Sequence, residues 1–355
     1  MKRRISLPVQ VGNITIGGTA PISVQTMSTI NPAYEETAIA DAKRLASYGA
    51  ELIRFAVPDM VAAKGLKAVV AASPVPIVAD IHFDYRLALE AVDSGVQALR
   101  INPGNIGTEE KVIKVVEKVR PKQIPIRIGI NTGSLPEDIL KIYGGHPTAA
   151  GMVEGALRHI RILERMEYRN MVISLKASNV PLMIEAYSEL AEKVPYALHL
   201  GVTEAGLVRE GSIKSAIGIG TLLYQGIGDT IRVSLTGDPA EEIKAGQTIL
   251  SSLGLRSFGP TLVSCPTCGR TRVNLISLAN QVEEAISHLT IPIKVAVMGC
   301  VVNGPGEARE ADFGIAGGCG SGIVFSHGKV LRTVPEDQLV SSLLEEIHKS
   351  IAKGS

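Results

Sequence analysis

The chain has no tryptophan, eight tyrosines, five phenylalanines and four cysteines in 355 residues. So few aromatics leave no platform on which bases could stack. The near balance of 36 Lys and Arg against 35 Asp and Glu leaves no basic surplus either, and together these exclude a dedicated nucleic-acid binder. Four cysteines are too few for a disulfide scaffold in a chain this long, so thiolate chemistry or metal binding is the expectation. No uninterrupted apolar run approaches the roughly 20 residues that cross a bilayer, so no membrane partner is expected. Met1-Lys2-Arg3-Arg4 is basic like the start of a signal segment, but Pro8, Gln10, Asn13 and three glycines break up the stretch from Ile5 to Gly18. The expected setting is cytoplasmic and reducing. Disorder is excluded, because a positive mean hydropathy with balanced charge permits a buried core.

What the sequence does contain is a repeated alternation. Apolar, β-branched runs are expected as strands near Ile22–Met27, Leu52–Val57, Pro76–Ile81, Ala98–Asn102, Ile124–Asn131, Met171–Lys176, Ala197–Thr203 and Thr230–Leu235. Helical patterns such as Glu35–Tyr48, Asp84–Asp93 and Ala240–Ser252 follow them, with Gly49, Gly95 and Gly254 placed as helix-ending glycines. Eight strand–helix units predict an α/β fold, a (β/α)8 TIM-type barrel over residues 1–255. A doubly wound open sheet is the alternative, but the first strand–helix turn has no G-x-G-x-x-G fingerprint. Residues 256–260 read as a linker. Beyond it, residues 261–355 predict a small α+β domain: a helix near Val273–His288, a strand at Lys294–Met298, a glycine-rich segment Gly304–Gly322, a strand at Ile323–Phe325 and a last helix Pro335–Lys349. A domain under 100 residues gains from a metal centre.

Charged residues interrupt the strand ends. Arg54, Arg100, Arg127, Lys176 and Arg232 each lie inside an apolar run on a different expected strand. Strand side chains two apart share a face, which pairs Asp80 with His82, Arg100 with Asn102, Lys176 with Ser178 and Arg232 with Ser234, and sets Asn131 on the face of Arg127. All are expected at the C-terminal mouth, where barrel enzymes build their sites. Five converging cations call for an anion, and guanidinium forks flanked by neutral donors match a diphosphate. The competing reading pairs each cation with a carboxylate at the rim. Asp80, His82, His199 and Glu204 fall at or just past strand ends as acid–base candidates.

All four cysteines lie beyond residue 260. Cys265-Pro266-Thr267-Cys268 places two thiolates within reach of one metal, with Cys300 and Cys319 following. By count alone they suit zinc or a four-cysteine [4Fe–4S] site, and no strand–Cys-x-x-Cys–helix unit supports a thioredoxin-like role. The second half lacks the repeated knuckle of a zinc ribbon, and small residues round Cys300 leave backbone N–H groups for cluster sulfides.

The segments Ser23-Val24-Gln25-Thr26-Met27, Ala79-Asp80-Ile81-His82-Phe83, Arg100-Ile101-Asn102-Pro103-Gly104-Asn105, Arg127-Ile128-Gly129-Ile130-Asn131, Ser174-Leu175-Lys176-Ala177-Ser178, Cys265-Pro266-Thr267-Cys268-Gly269-Arg270 and Met298-Gly299-Cys300-Val301-Val302-Asn303-Gly304-Pro305-Gly306-Glu307 occur in this order. Together they resemble the bacterial two-domain 4-hydroxy-3-methylbut-2-enyl diphosphate synthases of the methylerythritol phosphate route to isoprenoids, over nearly the whole chain. The resemblance implies a barrel joined to a [4Fe–4S] domain like those of sulfite and nitrite reductases. It implies cluster ligation by Cys265, Cys268, Cys300 and Glu307, which removes Cys319 from the ligand set and leaves it a small thiol. A displaceable carboxylate would open one iron to a substrate oxygen. The implied reaction is two-electron reductive ring opening and dehydroxylation of 2-C-methyl-D-erythritol 2,4-cyclodiphosphate. In it Arg54, Arg100, Asn102, Arg127, Asn131, Lys176, Ser178, His199, Arg232 and Ser234 hold the diphosphate, Asp80 and His82 organise the substrate face, and Glu204 donates a proton. A ferredoxin or flavodoxin donor is implied, as is a homodimer in which the cluster domain of one chain caps the barrel of the other. The rival readings are a phosphate-binding barrel of the dihydropteroate synthase type with a structural zinc domain, and a metal storage or sensor module.

Overall fold

In a computed structural model the described residues are 2–101, 106, 108–300, 306 and 308–354. They form two compact units, Met1–Arg256 and Ser257–Ser355. Among the described residues no helix is long and apolar enough to cross a membrane.

The first unit is a closed eight-stranded parallel barrel. After a short hairpin of β1 (Val9–Val11) and β2 (Ile14–Ile16), the barrel strands are β3 (Ser23–Met27), β4 (Leu52–Ala56), β5 (Ile77–Ile81), β6 (Ala98–Ile101), β7 (Ile126–Asn131), β8 (Met171–Lys176), β9 (Ala197–Leu200) and β10 (Thr230–Ile231), with β10 closing on β3. Helices cover the outside: α1 (Glu35–Ser47), α2 (Met60–Ala72), α3 (Tyr85–Asp93), α4 (Glu109–Val119), α5 (Glu137–Ile142), α6 (Ala149–Arg165), α7 (Val180–Lys193), α8 (Val208–Tyr224) and α9 (Pro239–Ser252). Local chemistry sets their ends. Asp59, Asp84, Thr148, Asn179 and Asp238 accept backbone N–H bonds as N-caps. Gly49, Gly95 and Gly254, at φ +92°, +91° and +65°, leave α1, α3 and α9 in the left-handed region expected of terminating glycines.

Two departures from the sequence reading bear on the site. The β1–β2 hairpin was not expected, since three-residue strands carry no readable period. Its Val9, Val11 and Ile16 pack with Leu52, Val78, Ala98, Val172 and Ala197, which gives one end of the barrel an apolar filling. The last strand is also shorter than the expected Thr230–Leu235. Beyond Ile231 the chain makes one more ladder bond, from Arg232 N to Leu200 O at 3.0 Å. It then turns away, its Leu235 N–H taken by the Glu242 carboxylate at 3.0 Å.

The second unit is a five-stranded sheet in the order β11 (Thr261–Ser264), β12 (Lys294–Met298), β13 (Phe313–Gly317), β14 (Ser321–Ser326) and β15 (Lys329–Pro335). The first three are parallel and the last two pair antiparallel. Helices α10 (Leu275–Ile286) and α11 (Leu339–Gly354) bury Leu278, Val282, Leu343 and Ile347 against Val295, Val297 and Ile315. The sequence reading missed β11, β13 and β15. Strand β13 hides in the glycine-rich segment because its glycines serve packing: a methyl at 314 would stand 2.3 Å from the Phe325 ring, and one at 317 would stand 2.3 Å from Val273.

Candidate active site

The strand register assembles the cations. Arg100 on β6 lies opposite Asp80 on β5 and Arg127 on β7, while Asn131 lies opposite Lys176 on β8. A cavity of about 220 Å³ is lined by Arg54, Arg100, Arg127, Lys176 and Arg232, together with Asp80, His82, Asn131 and Ser234. Glycine makes room for two of the cations. A methyl at 129 would stand 2.7 Å from Arg100 Nε, and one at 201 would stand 2.7 Å from Lys176 Nζ.

The rim-carboxylate reading holds for three of the five cations, Arg54, Arg100 and Arg232. Asp80 accepts from Arg100 Nη1 at 3.0 Å and pairs with Arg54 Nε at 3.4 Å and His82 Nε2 at 3.5 Å. Arg232 pairs with Glu242 on α9 at 3.3 Å. Among the described residues Arg127 reaches a neutral partner, Gln25 Oε1, at 2.6 Å and no carboxylate. Lys176 Nζ is buried with no hydrogen-bond partner among the described residues. Among the described residues five cations therefore share two carboxylates. The electrostatics register the imbalance. Burial lowers the Arg54 guanidinium to about 9, aided by repulsion from Arg232 and Arg100 and opposed by Asp80. Burial pushes Arg127 well below its ordinary value, with Arg54 and Arg100 adding to the shift. Lys176 falls in the same way through burial, then repulsion from Arg232 and Arg54. Burial alone would raise the Asp80 carboxyl, but Arg54, His82 and Arg100 outweigh it and hold Asp80 well below the usual carboxylate range.

Other expected site residues fall elsewhere. Ser178 is exposed past the end of β8, because the chain turns there so that Asn179 can cap α7, and Ser174 lines the cavity two residues before Lys176 instead. Glu204 is exposed at φ +53°, one residue after the lining Thr203. His199 is wholly buried and lines a separate cavity. Asn102 and Glu307 lie outside the described residues. Met27, whose sulfur meets Arg54 Nη2 at 2.9 Å, and the two partner groups Gln25 and Glu242 were not singled out from sequence. Gln25 and Met27 alternate along β3 as the cations do on their own strands, and that was the available signal.

In the second unit Cys265 follows β11 and Cys300 follows β12, at the same end of two paired parallel strands. Gly299 N–H donates to Cys265 Sγ at 3.1 Å, and its carbonyl accepts from Arg272 N at 3.0 Å. Cys268 sits on a tight turn, its N–H held by Thr271 Oγ1 at 3.0 Å. Hydrogen bonds from the Arg270 backbone and side chain lower its thiol below the ordinary value. Soft thiolates already receiving N–H bonds suit an iron–sulfur group in donor chemistry. Among the described residues no three His, Cys, Asp or Glu side chains surround a single metal-ion position. Cys319 is exposed, two residues past β13.

Residues 6–247 match the GcpE TIM-barrel domain and residues 261–349 the GcpE protein C-terminal domain. The chain belongs to the GcpE family. It is 53% identical over 349 residues to a 4-hydroxy-3-methylbut-2-en-1-yl diphosphate synthase (flavodoxin) of Caldanaerobacter subterraneus subsp. tengcongensis, covering 98% of each chain. A relative of the same name from Clostridium tetani is 55% identical over 347 residues, covering 98% of this chain and 99% of its own. Among solved structures, a dihydropteroate synthase from Stenotrophomonas maltophilia matches 71% of this chain and 100% of its own, with a TM-score of 0.52 and 14% identity. That likeness shows the barrel fold alone.

The lowered Lys176 value makes a stability prediction for this GcpE-family barrel. A base whose folded value is depressed binds fewer protons folded than unfolded, so its penalty is complete at low pH and fades as pH rises toward the ordinary lysine value of 10.5. Lys176→Met should therefore stabilise the chain, measured without phosphate or other polyanions, by about 1–3 kcal/mol near neutral pH. The gain should shrink toward pH 10 in calorimetric melts. A destabilised variant at neutral pH would contradict an uncompensated ammonium.

Proposed function

We propose that the chain is an iron–sulfur oxidoreductase that converts 2-C-methyl-D-erythritol 2,4-cyclodiphosphate to (E)-4-hydroxy-3-methylbut-2-enyl diphosphate and water, the activity named for its relatives. The observation that carries the reading is the excess of buried cations over carboxylates at a single barrel mouth, in a chain that also brings Cys265 and Cys300 to the same end of a small sheet. We assign residues 1–255 to diphosphate binding, 256–260 to a linker and 261–355 to a [4Fe–4S] domain, and the setting to the cytoplasm.

Arg100, Arg127, Lys176 and Arg232 would bind the two phosphoryl groups, with Arg54, Asn131, Ser234 and, by resemblance, Asn102 completing the cradle. Fixed charge in a cavity largely shielded from water stabilises the ring phosphate oxygen as its bond to carbon breaks, at no reorganisation cost. Asp80 and His82 keep Arg54 and Arg100 apart and oriented, which Asp80 achieves by accepting a hydrogen bond from Arg100 and pairing with the charge of Arg54. Glu204 is assigned the proton that leaves with the departing hydroxyl as water. Cys265, Cys268, Cys300 and Glu307 would hold the cluster, which when bound supplies electrons singly and an iron Lewis acid. The donor would be the flavodoxin of the relatives' name, or a ferredoxin.

Arg100→Ala should raise KM for the cyclic diphosphate at least about 100-fold or abolish turnover, the scale of a lost charge-assisted phosphate contact, while anaerobically prepared protein keeps its brown cluster absorption. Unchanged kinetics would refute the cation ring. A colourless, zinc-loaded wild-type protein would favour the structural-zinc reading instead.

The head-to-tail homodimer predicts complementation. Mixing and reassembling Cys300→Ala and Arg100→Ala chains should recover about one quarter of wild-type activity, because half the dimers are mixed and each mixed dimer has one intact site. A mixture as inactive as either parent would exclude sites shared between chains.

A further inference from the structure

Beneath the mouth the barrel interior carries polar side chains among the branched aliphatic ones that ordinarily fill barrels of this fold. A second cavity, of about 20 Å³, has apolar walls from the hairpin and lower strand ends and a polar lining of Gln25, Arg127, His199 and Thr230. Among the residues lining the two cavities, Arg127 is the one side chain common to both.

His199 is completely buried, and its backbone is fixed by the Tyr187 hydroxyl, which donates to the His199 carbonyl at 2.5 Å. Yet among the described residues neither ring nitrogen has a hydrogen-bond partner, and Arg127 Nε has none either. An orphaned buried polar group costs roughly 1–3 kcal/mol. That is a heavy penalty for a fold to carry twice around one small space. A water needs about 10–15 Å³ and two to four polar partners; this cavity has the room, and on its mostly apolar wall the polar side chains are those of Gln25, Arg127, His199 and Thr230.

We propose that the cavity holds a structural water that accepts from Arg127 Nε–H and donates to His199, making His199 a positioning residue for the diphosphate-binding guanidinium rather than a ligand contact. The arrangement clamps Arg127 from two sides, through Gln25 at Nη1 and through the water at Nε, and leaves its remaining N–H groups for the mouth. His199 stays neutral in this role, since burial and then the fields of Arg127 and Lys176 oppose its protonation. A neutral imidazole keeps one nitrogen as an acceptor, which the water requires. The functional half of the inference rests on the diphosphate reading of Arg127.

The test combines kinetics with diffraction. His199→Leu, which removes the acceptor, should raise KM and the calorimetric Kd for the cyclic diphosphate at least tenfold, with kcat at saturation within about twofold and the cluster spectrum unchanged. His199→Gln, which keeps a polar end, should stay within about threefold of wild type. Wild-type affinity in the leucine variant, or a fall in kcat at unchanged KM, would overturn the positioning role. Diffraction from wild-type crystals at atomic resolution decides the water separately and does not depend on either variant folding. Density within hydrogen-bond distance of both Arg127 Nε and a His199 nitrogen supports the proposal, and a dry cavity overturns it. A wild-type chain that binds no cyclic diphosphate would defeat the diphosphate reading, and the positioning role with it, leaving the water to the density alone.

Discussion

Five cations of the barrel face one cavity with two carboxylates between them, and much of the first unit's local structure answers to that constraint. Arg100 can cross its neighbouring strand only because position 129 has no side chain, and Lys176 extends only because position 201 has none. Asp80 is shared by two guanidiniums, and Glu242 is brought in from α9 to meet Arg232. Among the described residues Arg127 and Lys176 have no carboxylate of their own and face their neighbours' charge, and burial together with that repulsion lowers both. Like charges buried together cost stability, and on the proposed reading a doubly charged ligand would relieve that cost. Binding strength and conformational stability are thereby set against each other at the same side chains.

The interior of the barrel is graded. At one end the β1–β2 hairpin and the first residues of the strands form an apolar plug. Above it come Gln25, His199 and Thr230, and then the cations. A residue two further along its strand than a plug residue also faces inward because inward-facing positions alternate, as Leu52 and Arg54, Ala98 and Arg100, or Ala197 and His199 illustrate. The second unit separates its tasks differently. Its helices and sheet bury an ordinary aliphatic core, while the cysteines hang from strand ends and turns, where backbone N–H groups are free to meet sulfur.

Much of this was legible in the sequence because it follows period two. Charges inside apolar runs were visible without coordinates, and so were the alternating units that close into a barrel. Three kinds of feature escaped. Strands of two to four residues, such as β1, β2 and β11, are too short to show a period. Glycines chosen for close packing, as at 314 and 317, resembled loop glycines. Residues past a strand end, such as Ser178, do not obey the alternation that placed them at the mouth. The depth of a side chain within the barrel was also hidden, so His199 was grouped with ligand contacts although it lies beneath Arg127. Cluster ligation by Glu307 rested on resemblance alone, since spacing gives no reason to prefer a carboxylate over the fourth cysteine.

The central claim is that the barrel's uncompensated cations await a diphosphate. Its most direct test is calorimetric binding of the cyclic diphosphate near pH 8 in buffers of different ionisation enthalpy. The ligand's phosphoryl groups are strongly acidic and do not titrate there, so any proton exchange belongs to the protein. A bound dianion stabilises the Lys176 ammonium, whose proton affinity burial lowers, so binding should couple to proton uptake from solution and affinity should fall as pH rises toward the ordinary lysine value of 10.5. Binding without proton exchange, at an affinity independent of pH, would contradict the account.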